Sequence, residues 1–567
     1  MTFSKLQARR NLNSLGEQEF DVVIVGGGVT GAWLSLHCAQ QGYKTALIEK
    51  ADYASKTSAA SSKMLHGGIR YLQQMQFDKV RESAMERAQY IYAAPHLSRP
   101  VSFVIPTYPD FKRSKFFLRC GMLAYQTLCL GENSLIESKE QRISGCHSIS
   151  SDELNQICDL ENESHTGAVV FRERHMIDSE RMVLAIVQTA RELGAQTHNH
   201  VSAVKFLGDE SNVTGILARD ELTGLEFDVR SKLIVNAAGP WIDNLNGALR
   251  NSDKAPNINS FAVGSHIVTR QLCDHAIALT TKHQANSKID RGGRHVFAIP
   301  WRGYSLIGTS YDEVDSPNGD ISLKAEHVDQ LLEAINDAMP SANLVRADII
   351  SGFSGLYDYR TNNIKSTTYQ GSGEYQIIDH QNDNNVSGLI TALGAKFTTG
   401  RKVSVQTMRL IQRKLGLTKQ PKCDLKKQKL RGGNYASFAQ LQSTKQAQYQ
   451  SQFSPDVIDH LLMSYGTDID LFITSIEGKP ELHERICSAH SDLKGQIVWA
   501  IEHEQALALD DFIFGRSSLG LLGITDRELI DVAELMAKTL NWSDGEIEDQ
   551  IALTSSRFEK THAAING

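Results

Sequence analysis

Residues 20–50, FDVVIVGGGVTGAWLSLHCAQQGYKTALIEK, constrain this chain most. Asp21-Val-Val-Ile-Val25 is a short, nearly all-apolar run, the pattern of a parallel strand buried on both faces. It leads straight into Gly26-Gly27-Gly28-Val29-Thr30-Gly31, a G-x-G-x-x-G loop. Gly26 allows the tight turn and Gly28 lets a pyrophosphate approach the backbone. Gly31 lets the following helix, about residues 30–41, pack close to the sheet. The start of that helix offers free N–H groups and a positive dipole end to phosphates. A second strand, Thr45–Ile48, ends at Glu49, whose carboxylate can accept both ribose hydroxyls and repels a 2′-phosphate. Strand, loop, helix, strand and terminal acid together predict an adenine-dinucleotide site.

A chain of 567 residues exceeds one ordinary core, so two or three domains are expected. A hydrophobic content of 41% with 22% charged residues describes a soluble globular protein, and a net charge of −7 gives no global reason to expect nucleic acid. The eight cysteines form no C-x-x-C pair and have no metal-ligand spacing. With no signal peptide, they predict reduced thiols in a cytoplasmic protein without a metal site. Residues 1–19 are polar and are expected to form a solvated N-terminal arm. No stretch reaches the roughly 18–20 apolar residues that span a bilayer. Phe116–Leu130 comes nearest, interrupted by Arg119 and preceded by Lys112, Arg113 and Lys115. It fits either an amphipathic segment resting on an anionic membrane surface or a buried core helix.

Along the chain, small residues at 54, 55 and 57–62 suit backbone that passes close to a large ligand. Lys63, His66, Arg70 and Tyr71 then gather polar groups around Gly67-Gly68. Residues 78–95 have helical periodicity with a mixed charged face, which predicts a surface helix. A helix capped by Asp178 runs to about Glu192, a strand covers Val201–Phe206, and residues 213–230 form a hairpin region around Gly224. The strand before Ala237-Ala238-Gly239 again ends in tiny residues, and Pro240 starts a new turn or helix. Residues 257–360 are β-rich, with runs at 264–269, 295–301 and 304–309 that predict an antiparallel substrate sheet. Strand Leu389–Leu393 breaks at Gly394 and Lys396, and a helix follows to about Lys414. Its N-terminal dipole would stabilise negative charge on a reduced flavin. Residues 418–432 read as a basic linker. Beyond it, 456–465, 481–488, 497–508 and 526–539 are expected amphipathic helices.

Thr57-Ser-Ala-Ala-Ser-Ser-Lys-Met-Leu-His-Gly-Gly-Ile-Arg-Tyr-Leu72 resembles the TSSxSSKLIHGGLRYL motif of the FAD-dependent glycerol-3-phosphate dehydrogenases, within the D-amino-acid oxidase-like flavoproteins. Asn236–Trp241, Gly264-Ser-His266, Ile299-Pro-Trp301, Ile307-Gly-Thr309 and Ala395–Thr399 match as well, and Asp510–Gly520 is similar to the family's DDxxxRRTxLG. The resemblance spans about residues 18–550. It implies an α/β fold with a FAD-binding Rossmann-like domain, an antiparallel-sheet substrate domain interleaved with it over 20–417, and a C-terminal α-helical domain over 433–567. It implies FAD contacts from Gly26, Gly28, Val29, Thr30, Gly31, Glu49, Lys50, Thr57, Ser58, Ser61, Ser62, Lys63, Leu65, His66, Gly67 and Gly68. Val201, Ala238, Gly239, Trp241, Gly394, Lys396, Phe397 and Thr398 complete that set. One departure stands out: the family's S-G-V-R is Ser354-Gly-Leu-Tyr357 here, so Tyr357 replaces an arginine beside the substrate. The segment Ser366–Tyr375 also lacks the family's second basic phosphate contact, for which Arg360 and Lys365 are the local candidates.

Oxidising a secondary alcohol requires hydride transfer to flavin N5 and removal of the hydroxyl proton. A neutral histidine with a pKa near the working pH can take that proton. His266 is the first candidate and His66 the second. Arg70, Tyr71, Tyr357 and Lys396 are the expected substrate contacts, with Arg70 and Lys396 holding an anionic group. The expected substrate is sn-glycerol 3-phosphate or a related small anion, with quinone or oxygen as electron acceptor. The alternatives are another alcohol or an amine on the same scaffold, and a flavin-binding protein without turnover. Peripheral contact with the inner face of the cell membrane and a homodimer are further expectations.

Overall fold

The computed structural model describes residues 10, 12–73, 75–158, 160, 164–247, 258, 260–280, 295–358, 375–416, 425 and 427–567. Arg360, Lys365 and most of the basic linker lie outside them, as do residues 1–9. The chain forms two compact units: Met1–Ala59, Asp178–Asn259 and Gly373–Ser556 make the first, and Ala60–Ile177, Ser260–Ser372 and Arg557–Gly567 the second.

Among the described residues, the first unit holds an eight-stranded sheet. Its parallel strands lie in the order Leu389–Leu393, Glu226–Asn236, Glu19–Val25, Thr45–Ile48, Gln196–His198. The register pairs Val23 with Ile234 on one side and with Ala46 on the other, so the apolar run at 21–25 is central. Val22, Val23 and Ile24 are completely buried, which is why the sequence there does not alternate. Strand Gln376–Asp379 adds an antiparallel edge, and the hairpin Val201–Asp209/Asn212–Asp220 pairs onto 226–230. Helix Val29–Gln40 is buried along its whole length. Residues 438–540 supply further helices around a core that includes Phe472, Leu461 and Trp499.

In the second unit, the strand order is 349–358, 261–270, 304–314, 295–301, 276–280, 98–107, 167–176, 64–65. Only the 276–280/98–107 pair along that path is parallel. Strand Phe261–Arg270 sits between 304–314 and 349–358 and is buried from Phe261 to Thr269. Helix Ala325–Ala338 lays Val328, Leu331 and Ile335 onto the core of this unit.

Several expectations change. Residues 10–19 are not a solvated arm: Arg10 is buried and paired with Asp220 at 2.6 Å, and Leu15 is completely buried. The surface helix at 78–95 is helix Phe77–Ala93, but it buries ten residues, Arg87 among them. Asp78 and Arg81 stay exposed, but Arg87 is turned inward toward two buried carboxylates, a partnership no local pattern reveals. Asp178 takes the N-cap position of helix Ser179–Glu192 without a side-chain cap bond. Residues 481–488 form only the short turn Pro480–His483; 484–494 then doubles back, with Ile486 N–H donating to Asp492 O. The helix read at 497–508 is Lys494–Glu504, stopped where Gln505 takes a left-handed φ of 56°.

Candidate active site

In the first unit, the strand–loop–helix forms as read. Gly26 has a φ of 108°, and a Cβ there would lie 2.7 Å from the Ala237 carbonyl oxygen. That contact also explains the tiny residues at 237–239: they border the turn itself. A Cβ on Gly31 would lie 1.9 Å from Gly26 O, so only glycine lets helix Val29–Gln40 start so near the strand. Gly394, at the end of its own strand, comes against Thr30, where a Cβ would lie 2.7 Å from Oγ1. Gly27 N–H donates to Glu49 Oε2 at 2.6 Å and Ala51 N–H to Oε1 at 2.9 Å, so the acid closes over the loop. Burial raises the Glu49 carboxyl above its usual range, against the two N–H donors that lower it. Ser58 Oγ accepts from Val29 N–H at 3.0 Å, at the start of the helix. A glycine cradle ending in a helix N-terminus, with a carboxylate across it, fits an adenine dinucleotide.

Not every predicted contact plays the same part. Lys50 is exposed. Val201 is completely buried and acts on Glu49, its N–H donating to Glu49 O at 2.8 Å. Ala238, Gly239 and Trp241 lie in or beside the short turn Gly239–Trp241, and Thr57 is half-buried. After Gly394, Lys396 takes an extended conformation at the start of turn Phe397–Thr399, which contains Thr398 and runs into helix Gly400–Leu415.

The second unit assembles the other predicted residues. His266 Nε2 lies 3.0 Å from Ser62 Oγ, and Phe353 on the neighbouring strand stacks on its ring at 5.1 Å. On the other neighbouring strand a Cβ at Gly308 would lie 2.2 Å from His266 Cδ2, so the ring occupies the space that Gly308 leaves open. His266 Nδ1 is buried and has no hydrogen-bond partner among the described residues. Burial, and then the nearby Lys63 cation, push the His266 pKa down to about 3. The expectation of a pKa near the working pH is therefore replaced by a histidine held neutral. Lys63 is itself buried, with a left-handed φ of 53° and Nζ 6.0 Å from the Trp301 ring. Tyr357 is half-buried opposite Ala262, its ring edge-on to Tyr311 at 6.2 Å.

His66 differs from His266. Its Nδ1 accepts from Gly68 N–H at 3.1 Å, which leaves the proton of the neutral ring on Nε2. Leu65 is buried opposite Arg174, Ser61 Oγ accepts from Lys63 N–H at 3.1 Å, and Tyr71 N–H donates to Gly68 O at 2.8 Å. The Arg70 side chain lies outside the described residues. Three residues that sequence reasoning missed hold this loop. Glu173 accepts from Gly67 N–H at 3.1 Å and from Tyr125 Oη at 2.8 Å, and it is ion-paired with Arg87. Arg87 also donates to Glu132 at 2.5 Å. Tyr125 Oη would lie 1.9 Å from a Cβ on Gly67.

Residues 21–400 match the sequence family described as FAD dependent oxidoreductase. The chain belongs to that family. Residues 423–547 of this oxidoreductase also match the C-terminal domain of alpha-glycerophosphate oxidase. It is 29% identical over 558 residues to a Synechocystis glycerol-3-phosphate dehydrogenase, covering 96% of this chain and 97% of that one. An aerobic glycerol-3-phosphate dehydrogenase of Staphylococcus haemolyticus is 28% identical, with 96% and 95% covered. The fold matches a crystal structure of Bacillus halodurans glycerol-3-phosphate dehydrogenase complexed with FAD, with a TM-score of 0.76 at 23% identity, covering 98% and 97%.

Proposed function

We propose that this FAD-dependent oxidoreductase dehydrogenates sn-glycerol 3-phosphate at its secondary hydroxyl and passes the electrons on to a quinone or to oxygen. The observation that carries the reading is the neutral His266, with an unpartnered Nδ1 close to the buried Lys63 cation. Likeness to glycerol-3-phosphate dehydrogenases over nearly the whole chain supports the substrate. FAD, when bound, supplies the hydride acceptor. His266 Nδ1 takes the hydroxyl proton, and Ser62 and Phe353 fix the ring while it does so. His66 is the weaker candidate, since the lone pair of its Nδ1 is already used by Gly68. Burial, and after it the Lys63 cation, make His266 a poor base in the free enzyme; a phosphate nearby offsets the Lys63 part and raises its basicity when substrate is bound. The family resemblance assigns an anion contact to Arg70 and another to Lys396, and Tyr357 takes the place of the arginine in the family's S-G-V-R motif.

Among the described residues no helix is long and apolar enough to cross a membrane. We assign a peripheral bilayer contact to helix Lys115–Leu128. Phe116, Leu123 and Leu130 recur every seventh residue and are 73%, 64% and 66% exposed, with Arg113, Lys115 and Arg119 alongside. Only Met122 and Tyr125 of this helix are buried, so a core-helix reading of this segment fails.

A substrate panel tests the activity. With a dye acceptor, kcat/KM for glycerol 3-phosphate should exceed that for glycerol by more than about 100-fold, since a buried ionic contact carries the discrimination. Equal use of glycerol, or preference for sarcosine, would defeat the assignment.

A further inference from the structure

The D-D-x-x-x-x-R segment at 510–516 has no part in the chemistry above, yet its Asp511 and Arg516 are among the most buried charges in the first unit. Arg516 donates to both oxygens of Asp52, at 2.6 and 2.8 Å, and to Glu504 O at 2.9 Å. Asp52 is held from its other side by Asn199 Nδ2 at 2.9 Å. Next to it, Tyr53 Oη donates to Gln505 Oε1 at 2.9 Å, and Gln505 O accepts from Asn199 Nδ2 at 2.9 Å. Asp511 reaches His200 Nε2 at 2.8 Å, and His200 N–H in turn donates to Ala51 O at 2.9 Å. Apart from the Arg516 bond to Glu504 O, every one of these bonds ends on residues 51–53 or on the 199–200 turn that supports them.

That short strap is what presses on the glycine loop. The Tyr53 ring would lie 2.8 Å from a Cβ on Gly27, and Ala54 N–H donates to Gly27 O at 3.1 Å. Glu49, at the start of the strap, holds Gly27 N–H. The strap thus has the glycine loop on one side and residues 504–516 on the other.

We propose that Gln505 and Arg516 of the C-terminal helical segment are positioning residues for the FAD site: they fix the Glu49–Ala54 strap and so set the affinity for the adenosine half of the cofactor. The inference rests on the reading of Gly26–Glu49 as that half of the site. It gives residues 504–516 a part in cofactor retention through the strap they hold.

The test is equilibrium binding to flavin-depleted full-length protein, read by FAD fluorescence, with ADP as a competitor that reports on the adenosine half alone. Gln505→Ala and Arg516→Lys should each raise the Kd for FAD by about 10-fold, the scale of one lost charged or buried hydrogen bond, and the Kd for ADP by a similar factor. Arg485→Gln, which breaks an exposed pair with Asp456 in the same helical region, should leave both within 2-fold. Glu49→Gln is the reference for the underlying reading. If it weakens both ligands while Gln505→Ala and Arg516→Lys do not, the positioning role is wrong. If Glu49→Gln changes neither, the adenosine reading itself fails. Thermal melts of the depleted proteins identify a variant that does not fold. Gln505→Ala removes no charge and decides the question if Arg516→Lys is such a variant.

Discussion

Gly308→Ala tests the placement of His266 without touching any group that does chemistry. A Cβ at residue 308 would sit 2.2 Å from His266 Cδ2 and 2.5 Å from Nε2, where ordinary contact begins at 3.4 Å. The ring must therefore retreat by the difference between 3.4 and 2.2 Å, 1.2 Å at Cδ2. Phe353 stacks on the ring from the other neighbouring strand, so that movement is resisted and the Ser62 contact at Nε2 is broken. Overpacking of this kind costs about 1–3 kcal/mol, enough to lower the melting temperature but not to unfold the protein. A misplacement of about 1 Å at a proton-transferring group is expected to slow the reaction about 100-fold. The assay is single-turnover reduction of the bound flavin by glycerol 3-phosphate in anaerobic stopped flow, on protein checked for flavin content and melting temperature. Slow reduction with flavin content intact is expected. Reduction at the wild-type rate in a folded, flavin-loaded variant would refute His266 as the proton acceptor.

Four further outcomes follow from the same structure. Because the His266 pKa is depressed to about 3, kcat/KM should show no histidine inflection between pH 5 and 8. The same depression makes its stability contribution complete above the unfolded value near 6.5 and lost as pH falls toward 3; in denaturant titration from pH 6.5 to 5.0 His266 should account for a loss of about 2 kcal/mol, which His266→Asn removes while the part from the likewise depressed His37 and His198 remains. Glu173→Gln keeps an acceptor for Gly67 but leaves Arg87 with half its compensation; a loss of about 3–5 kcal/mol in chemical denaturation is expected, and a loss below 1 kcal/mol would mean the buried pair is dispensable. Phe116→Asp with Leu123→Asp should abolish co-sedimentation with anionic vesicles while flavin reduction in solution is unchanged, and retained sedimentation would move the membrane contact elsewhere.

The dinucleotide cradle was legible because each of its parts is local. Gly26, Gly28 and Gly31 are spaced by backbone geometry, and Glu49 ends the next strand in sequence. The strands at 21–25, 45–48 and 389–393 were legible for a similar reason, since buried parallel strands are nearly all apolar, but their order in the sheet rests on pairings between distant segments. What stayed hidden depends on distant partners. Arg87 sits in a helix whose pattern says surface, and only Glu132 and Glu173, 45 and 86 residues away, turn it inward. The pKa of His266 comes from burial by strands on both sides and from Lys63, far earlier in the chain. The segment at 481–488 has helical composition, but Arg485 is drawn out to Asp456, and the backbone of 484–494 folds back on itself. Arg516 stood in a recognisable motif, yet nothing near it in sequence pointed to Asp52.

Tyr357 stands where the S-G-V-R family motif has its arginine, and glycerol 3-phosphate is nonetheless the substrate proposed for this scaffold. The most direct measurement is anaerobic: add glycerol 3-phosphate to the purified flavoprotein and follow absorbance near 450 nm (the oxidised-flavin band). Rapid bleaching is the expected result, despite the missing arginine. An unchanged spectrum in a sample that dithionite still reduces would show that the scaffold acts on something else.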